Sequence, residues 1–328
     1  MIGQCKKVGI LWGGGLGDLL MIRPLLMALH RDPETKSYLL TSASHATQLF
    51  DEFCSPTEVI QLSRRIRRLL PAIKKWRGFF DLIYLGPYPT FKTRILGHLL
   101  APKILWSKHN TGSAPFLLEQ VLADINAIGL ENTVEHIEFS SFLPWNVTQR
   151  SSLPSKKGPI LVLHPGTKDG WTTKSWPIEK WTMLIDRVLE KTSFSLCILG
   201  SRTEKLQIDA MIESIPKPFN QRINVCLSWP LQNVIPLIAE SAGVVCHNSG
   251  ILHISTLLKK KTVCITGSSA EYWRPHYPWI ANVTSKTCGL ACNMYRCPIP
   301  FFHAKCIRKI DVDDVWERMM DHFKDEVT

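Results

Sequence analysis

The sequence predicts two doubly wound α/β domains, each a parallel sheet with helices on both faces. Short apolar runs alternate with segments of helical periodicity through both halves of the chain, a pattern typical of this class. A glycine-containing turn stands between a probable strand and a probable helix in each half, at residues 13–18 and 164–167. The chain has 328 residues, which is enough for two hydrophobic cores.

Ten short apolar runs are strand candidates, five in each half of the chain. The first leads through a glycine-rich turn into an amphipathic helix that ends near His30, and helical periodicity separates many of the others. The candidates are residues 8–12, 37–41, 58–61, 81–85 and 103–106, followed by 160–164, 195–200, 223–226, 243–247 and 262–266.

One helix of the second half has a well-marked start. Pro177 suits the beginning of a helix, because its φ angle is already helical and its missing N–H would have no partner there. Trp181, Leu184 and Ile185 follow at helical spacing and predict the buried face of this helix.

The domain boundary is predicted at a polar segment rich in turn formers, residues 151–159. It divides the chain into an N-terminal domain over 1–154 and a C-terminal domain over 155–310. A cysteine-rich loop follows residue 280. The last segment, 311–328, begins with acidic residues that suit a helix N-terminus, and we expect this helix to pack toward the N-terminal domain.

The composition is that of a globular protein, with 45% hydrophobic residues. No apolar run approaches the 18 or so residues that a transmembrane helix needs. The first residues lack the apolar core and cleavage site of a signal peptide, so the sequence predicts a cytoplasmic protein.

The net charge of +11 lies mainly in the first third of the chain. Residues 1–118 hold 16 Lys and Arg against 7 Asp and Glu, and residues 64–77 carry seven positive charges and no negative one. Such a field favours an anionic partner, which could be nucleic acid, acidic lipid or a phosphorylated acceptor. The alternative is a helix face exposed to solvent.

The glycine turns of both halves are candidate phosphate sites, because a helix N-terminus presents backbone N–H groups and partial positive charge. The first turn does not have the G-x-G-x-x-G spacing of a dinucleotide site, since Asp18 follows Gly15 by three residues. Asp18 stands where an N-cap would, and it would either cap the helix or act as a general base.

The second half carries two further motifs. Lys174 precedes the predicted helix start at Pro177, where its ammonium could neutralise a diphosphate. After the strand 243–247, Asn248 or Ser249 could cap the next helix, and Gly250 lets backbone come close to a ligand.

These motifs together resemble the heptosyltransferase family, glycosyltransferase family nine. The resemblance covers residues 8 to 267 and extends to a C-terminal pattern. It is carried by Gly17-Asp18 with Arg23-Pro24, His164-Pro165-Gly166 with Lys174-x-Trp176-Pro177, Ser249-Gly250-x-x-His253, and Cys297-Pro298 with Cys306-Ile307 and Ile310.

The resemblance implies a GT-B fold, in which two Rossmann-like domains face a cleft, and an inverting transfer of heptose. The donor would be ADP-heptose, and the acceptor a Kdo or heptose hydroxyl of the lipopolysaccharide inner core. It implies no cofactor for catalysis and a peripheral location at the inner face of the bacterial inner membrane.

The resemblance also assigns roles to individual residues. Asp18 would be the general base on the acceptor hydroxyl. Thr167 and Lys174 would contact the donor diphosphate, and Glu204 the nucleoside. Ser249, Gly250 and His253 would bind ADP at the helix N-terminus. The basic segment would serve the anionic, lipid-linked acceptor and the membrane surface through Arg64, Arg65, Arg67 and Arg68.

One residue departs from the family pattern. Asn248 stands where members usually have Asp, and the amide keeps the shape but removes a charge and an acceptor. We expect altered donor handling; a member that uses another nucleotide sugar, or that is catalytically silent, is the alternative.

Four cysteines lie close together in the predicted C-terminal loop. Cys288, Cys292, Cys297 and Cys306 could hold one tetrahedral zinc or iron, although a C-x2-C pair is absent. Reduced thiols or a disulfide are the alternative.

Two other classes of protein compete with the transferase interpretation. A Rossmann oxidoreductase is disfavoured by the broken glycine fingerprint and by the second phosphate-type turn. A nucleic-acid-binding protein would explain the basic first half, but no recognition-helix, zinc-finger or RNA-sheet motif accompanies the charge. No nucleic-acid partner is therefore expected.

Overall fold

The chain forms two compact units, Met1–Pro144 and Trp145–Thr328. The computed structural model describes residues 6–13, 15–43, 46, 56–63, 66–86, 89–106, 116–127, 130, 138–143, 158–167, 173–267, 273–285, 297, 299 and 305–326, of which 66–68, 126–127 and 142 by their backbone alone. The boundary between the units precedes the one predicted at residue 154. Among the described residues, no helix is long and apolar enough to cross a membrane.

The first unit is built on a parallel sheet of five strands in the order β3-β2-β1-β4-β5. Its elements are β1 (Lys7–Leu11), α1 (Leu16–His30), β2 (Lys36–Thr41), β3 (Glu58–Gln61), α2 (Ile66–Trp76), β4 (Leu82–Tyr84), α3 (Phe91–Leu100), β5 (Lys103–Leu105) and α4 (Leu117–Ala127).

The helices of this unit form two pairs, as expected for a doubly wound sheet. Helix α1 packs with α4, and α2 packs with α3. The core beneath α2 and α3 is aromatic: Trp76, Phe79 and Phe80 from the end of α2 surround Tyr38 of β2. Helices can cover both faces of the sheet because its central strands β1, β2 and β4 are buried and apolar.

The second unit is built on a parallel sheet of six strands in the order β11-β10-β9-β6-β7-β8. Its elements are β6 (Ile160–His164), α5 (Ile178–Lys191), β7 (Ser195–Gly200), α6 (Lys205–Glu213), β8 (Ile223–Leu227), α7 (Leu231–Glu240), β9 (Gly243–His247), α8 (Gly250–Leu257), β10 (Thr262–Thr266), β11 (Ile280–Thr284), α9 (Lys305–Arg308) and α10 (Val312–His322).

Several local predictions are confirmed in this unit. Helix α5 begins directly after Pro177 and buries Trp181, Leu184 and Ile185 completely. Helix α10 begins after Asp311, and the carboxylate of Asp314 accepts the Asp311 N–H at 2.9 Å. The acidic start therefore supplies the reciprocal half of a capping box.

Helix α10 packs on the sheet of the second unit. Val315, Met319 and Phe323 are fully buried in the core of the second unit, where α10 lies against α5, β10 and β11. The apolar face of α10 is thus covered by the second unit's own sheet and by α5.

Candidate functional site

Asp18 lies at the point where the strand order of the first sheet reverses. Strand β1 pairs with both β2 and β4, so the turn after β1 occupies the switch point at which open α/β sheets bind ligands. Helix α1 begins at Leu16 with Gly15 as its N-cap, and Asp18 is the third helical residue rather than the N-cap itself. Its Oδ2 accepts the Gly15 N–H at 2.5 Å.

The prediction of Asp18 as the N-cap is therefore wrong by three residues, although its capping chemistry is present. Gly15 has no side chain with which to cap the helix, and Asp18 reaches back to the N-cap backbone instead. This hydrogen bond fixes the orientation of the half-buried carboxylate at the sheet edge.

Trp12 holds the backbone of the same turn. Its indole Nε1 donates to the Asp18 carbonyl at 3.0 Å. The ring packs against Gly86, where φ is +76° and an added Cβ would collide with the indole. Glycine at 86 thus allows the tryptophan to reach the turn.

The second candidate site lies on the second unit, at the carboxyl ends of its central strands. Strand β6 pairs with both β7 and β9, so the strand order reverses here as well. The His164–Thr167 turn follows β6, and the turn from His247 to Gly250 follows β9.

His247 ties two segments of this site together. Its Nε2 accepts the Trp176 N–H at 3.0 Å, and its Nδ1 lies 3.4 Å from the Gly166 carbonyl. Because Nε2 accepts, the ring proton resides on Nδ1 and faces that carbonyl. Burial lowers the pKa of His247 to about 3, which keeps the ring neutral. Trp176 is itself anchored, since its Nε1 donates to the Ile310 carbonyl at 2.9 Å.

This linkage joins the residues that the sequence placed near the donor diphosphate. The hydroxyls of Thr167 and Ser175 are hydrogen-bonded at 2.7 Å. Lys174 is half-buried between Thr173 and Ser175. Burial lowers the pKa of His253 to about 3, and the positive charge of Lys174 lowers it further. The ammonium of Lys174 therefore acts on the first turn of α8.

The charge of Lys174 also acts on Cys264 in β10. Burial raises the pKa of this thiol in β10 to about 12, while the charges of Lys174 and Arg274 oppose the rise. A positive charge that acts on residues of both α8 and β10 adds to the positive field of the helix N-terminus.

The N-terminus of α8 is the candidate anion seat. Ser249 is the N-cap, but its side chain makes no hydrogen bond to the helix backbone. Its hydroxyl lies 3.3 Å from Nδ1 of His164 instead. The Ser249 side chain therefore leaves the first N–H groups of the helix for other partners.

Glu204 follows strand β7 and lies beside the His164–Thr167 turn. Its Oε2 accepts from the Ser201 N–H at 2.7 Å and from the Ser201 hydroxyl at 2.8 Å. The carboxylate also packs on Gly166, where an added Cβ would collide with it. Burial lowers the pKa of His164, whereas the negative charge of Glu204 raises it.

Asn248 is buried, and its amide has a defined partner. The Nδ2 atom donates to the Trp273 carbonyl at 2.9 Å. An ionised aspartate has no donor to offer that carbonyl. Asparagine at 248, in place of the aspartate usual in the family, therefore suits the Trp273 carbonyl that it faces.

The structure brings Thr167, Lys174, Glu204 and the turn from Asn248 to His253 to one edge of the second sheet. Sequence reasoning did not single out His247 or Ser175. The signal for His247 was a histidine at the end of an otherwise apolar run that leads into the candidate turn.

The other predicted site residues are only partly described. Arg64 and Arg65 lie outside the described residues, and for Arg67 and Arg68 the structure describes only the backbone, within α2. Cys288 and Cys292 also lie outside them, whereas Cys297 is half-buried and Cys306 is buried. Within the part of the chain that the structure describes, no three His, Cys, Asp or Glu residues form a metal-binding group.

The buried histidines predict a marked acid sensitivity. His247 and His253 have pKa values of about 3 in the folded chain, against about 6.5 in an unfolded one. Below pH 6.5 the unfolded chain therefore binds protons that the folded chain refuses, and stability present at neutral pH is lost toward pH 3. Each histidine should remove about 1.4 kcal/mol per pH unit over most of that window.

Urea unfolding between pH 7.5 and 4.5 measures this loss. His247→Asn should reduce the pH dependence by about 1.4 kcal/mol per unit. An identical dependence in wild type and His247→Asn would contradict the assignment.

Comparison with known proteins gives a consistent result. The model of glycosyltransferase family 9 (heptosyltransferase) matches residues 115–300. Lipooligosaccharide heptosyltransferase 2 of Campylobacter jejuni serotype O:6 is 24% identical over 313 residues, which are 93% of this chain and 95% of that protein.

Solved structures share the fold at low sequence identity. E. coli ADP-heptose LPS heptosyltransferase II is 16% identical with a TM-score of 0.65, and the match covers 98% of this chain and 100% of that one. E. coli heptosyltransferase WaaC with ADP-2-deoxy-2-fluoro heptose is 14% identical with a TM-score of 0.63, covering 96% and 99%. The prediction of a GT-B-type α/β fold with two parallel sheets is confirmed.

Proposed function

The chain belongs to glycosyltransferase family 9 (heptosyltransferase) and is a glycosyltransferase, and from this premise we propose that it transfers heptose from ADP-heptose to the lipopolysaccharide inner core. The acceptor would be a Kdo or heptose hydroxyl. The observation that carries the proposal is the position of the α8 N-terminus at the switch point of the second sheet, where the charge of Lys174 also acts on His253.

The donor would lie with its diphosphate against the N-terminus of α8. Lys174 would neutralise the phosphate charge, and the hydroxyl of Thr167 would donate to a phosphate oxygen. Ser249, Gly250 and His253 would hold the ADP portion, with Asn248 keeping their turn in place. Glu204, oriented by Ser201, would contact the nucleoside.

Asp18 would act as the general base. In a single displacement with inversion, its carboxylate takes the proton of the acceptor hydroxyl while the acceptor oxygen forms a bond to the anomeric carbon. The bond from that carbon to the diphosphate breaks, and the electron pair leaves with ADP. Lys174 and the amides of α8 can stabilise that charge, so the proposal assigns no cofactor to catalysis.

The acceptor would be anionic and lipid-linked, which gives the basic segment a purpose. Arg64, Arg65, Arg67 and Arg68 would attract its charged groups, and the protein would work in the cytoplasm at the inner face of the inner membrane. No nucleic-acid partner is part of the proposal.

A metal at the four C-terminal cysteines is a separate proposal. Cys297 packs against the core of the second unit, and Cys306 is buried within α9. Thiolates are the donors that structural zinc or iron prefers, and Cys288 and Cys292 would complete a tetrahedral set. Metal analysis of protein purified without chelators should find close to one equivalent, and less than about a tenth would end this proposal.

The proposed reaction is tested by supplying the purified chain with ADP-heptose and a Kdo-lipid acceptor. Formation of a heptosylated product, with release of ADP that depends on acceptor, would support it. ADP binding without product would indicate a different nucleotide sugar or a silent member of the family. Parallel reactions with other ADP-sugars and UDP-sugars separate these two outcomes.

A further inference from the structure

Helix α3 carries an apolar stripe on its outer face. Phe91, Ile95 and Leu99 are exposed by 77%, 47% and 39%, and their spacing of four residues places them on one side of the helix. The opposite side of α3 is already used, since Gly97 and Leu100 are buried toward the sheet. The stripe is therefore in excess of what the core of the first unit requires.

The neighbouring helix also carries an exposed apolar side chain. Helix α2 packs beside α3, and its Leu70 is 59% exposed. We call the exposed side chains of Leu70, Phe91, Ile95 and Leu99 the apolar stripe. Its members lie on two helices that pack against each other.

Exposed cations stand on the same two helices as the apolar stripe. Lys92 and Arg94 are exposed on α3 and flank the stripe at helical spacing, and Lys74 and Lys75 are exposed on α2. The guanidinium of Arg94 lies over the Trp106 ring at 5.4 Å. From residue 59 to 118 the chain has eleven Lys and Arg, and Asp81 is its one acidic residue.

This combination selects one kind of partner. An anionic lipid bilayer offers apolar volume for the side chains and negative headgroups for the cations around them. A second copy of the chain would bring the same positive charges face to face. Nucleic acid would neutralise the cations, but it has no apolar surface for the side chains of the stripe, because its outer surface is phosphate.

We propose that the apolar stripe and the cations of α2 and α3 dock the chain on the surface of an anionic lipid bilayer. This inference deepens the proposed function and rests on it for the presence of a membrane near the acceptor. The docking itself needs neither donor nor acceptor, so it can be measured alone.

Co-sedimentation of the full chain with vesicles tests the docking. Wild type should bind vesicles of phosphatidylglycerol and phosphatidylethanolamine, and bind vesicles of phosphatidylcholine far less. Lys74→Gln with Lys92→Gln should weaken binding about thirtyfold at low salt, from about fivefold for each neutralised cation. Phe91→Ser with Ile95→Ser should weaken it at all salt concentrations.

A matched control is present on the second unit. Met183 and Leu206 are also large and exposed, by 59% and 82%. Met183→Ser with Leu206→Ser should therefore leave vesicle binding as in wild type. Equal binding of wild type and the Phe91/Ile95 variant would overturn the proposal. So would a wild-type dimer that the same variant dissociates, since the stripe would then serve a second copy.

Two further measurements separate this inference from the proposed function. Urea unfolding of the Phe91/Ile95 variant should match wild type, because the replaced side chains are exposed. Transfer to a water-soluble Kdo acceptor should also persist in this variant. Normal vesicle binding by a wild type that transfers no heptose would remove the proposed function and leave the docking intact.

Discussion

Asp18→Asn is expected to lower turnover by a factor of about 10² to 10⁴, the usual range for loss of a general base. Asparagine has nearly the same shape, and its carbonyl oxygen can still accept the Gly15 N–H that Asp18 accepts at 2.5 Å. The start of α1 should therefore survive. Only the capacity to take a proton from the acceptor is lost. Steady-state transfer assays measure turnover, and calorimetry measures ADP affinity.

The control for this prediction is Asp32→Asn in the same unit. Asp32 also accepts a backbone N–H, from Glu34 at 3.1 Å, but it lies after α1 and far along the chain from the turn at Asp18. This variant should keep wild-type turnover. Turnover near wild type in Asp18→Asn would show that the carboxylate serves the turn and not the reaction.

Asn248→Asp is expected to weaken ADP binding, although it restores the residue usual in the family. The Asn248 amide donates to the Trp273 carbonyl at 2.9 Å, and a carboxylate would face that oxygen with no proton to share. A buried polar group without a hydrogen-bond partner costs about 1–3 kcal/mol. If the whole cost falls on the ADP-bound state, ADP affinity drops roughly 5- to 150-fold. The added negative charge also opposes a diphosphate.

Asn282→Asp separates ligand binding from stability. The Asn282 amide donates to the Pro275 carbonyl at 2.9 Å, so its replacement creates the same conflict away from the turn of Asn248. Both variants should unfold at lower urea concentration, and only Asn248→Asp should lose ADP affinity. Tighter ADP binding by Asn248→Asp at unchanged stability would show that the hydrogen bond from Asn248 to the Trp273 carbonyl is not needed.

The sheets could be predicted from the sequence because most of their strands read as apolar runs. The central strands β1, β6, β9 and β10 are buried on both faces. All ten candidates correspond to strands β1 to β10. Strand β11 was not predicted. It lies at the sheet edge and pairs with β10 alone, and its Asn282 and Thr284 interrupt the apolar pattern.

The candidate site could be predicted where a turn motif marks the end of a strand. Thr167, Lys174 and Ser249 were found this way. His247 was not, because its role depends on Trp176, 71 positions away in the sequence. The same limit applies to Asp18: its residue type was informative, but its place in the first turn depends on where Leu16 begins the helix.

The bridge through His247 has a consequence for how a ligand would associate. One buried ring joins the segment that holds Lys174 to the turn that holds Thr167, so these residues are held near one another before any ligand arrives. The conformational entropy of these residues is then lost when the chain folds, and not when the ligand binds. A preorganised surface of this kind should bind without a slow closing step, and its association rate should be set by diffusion and charge.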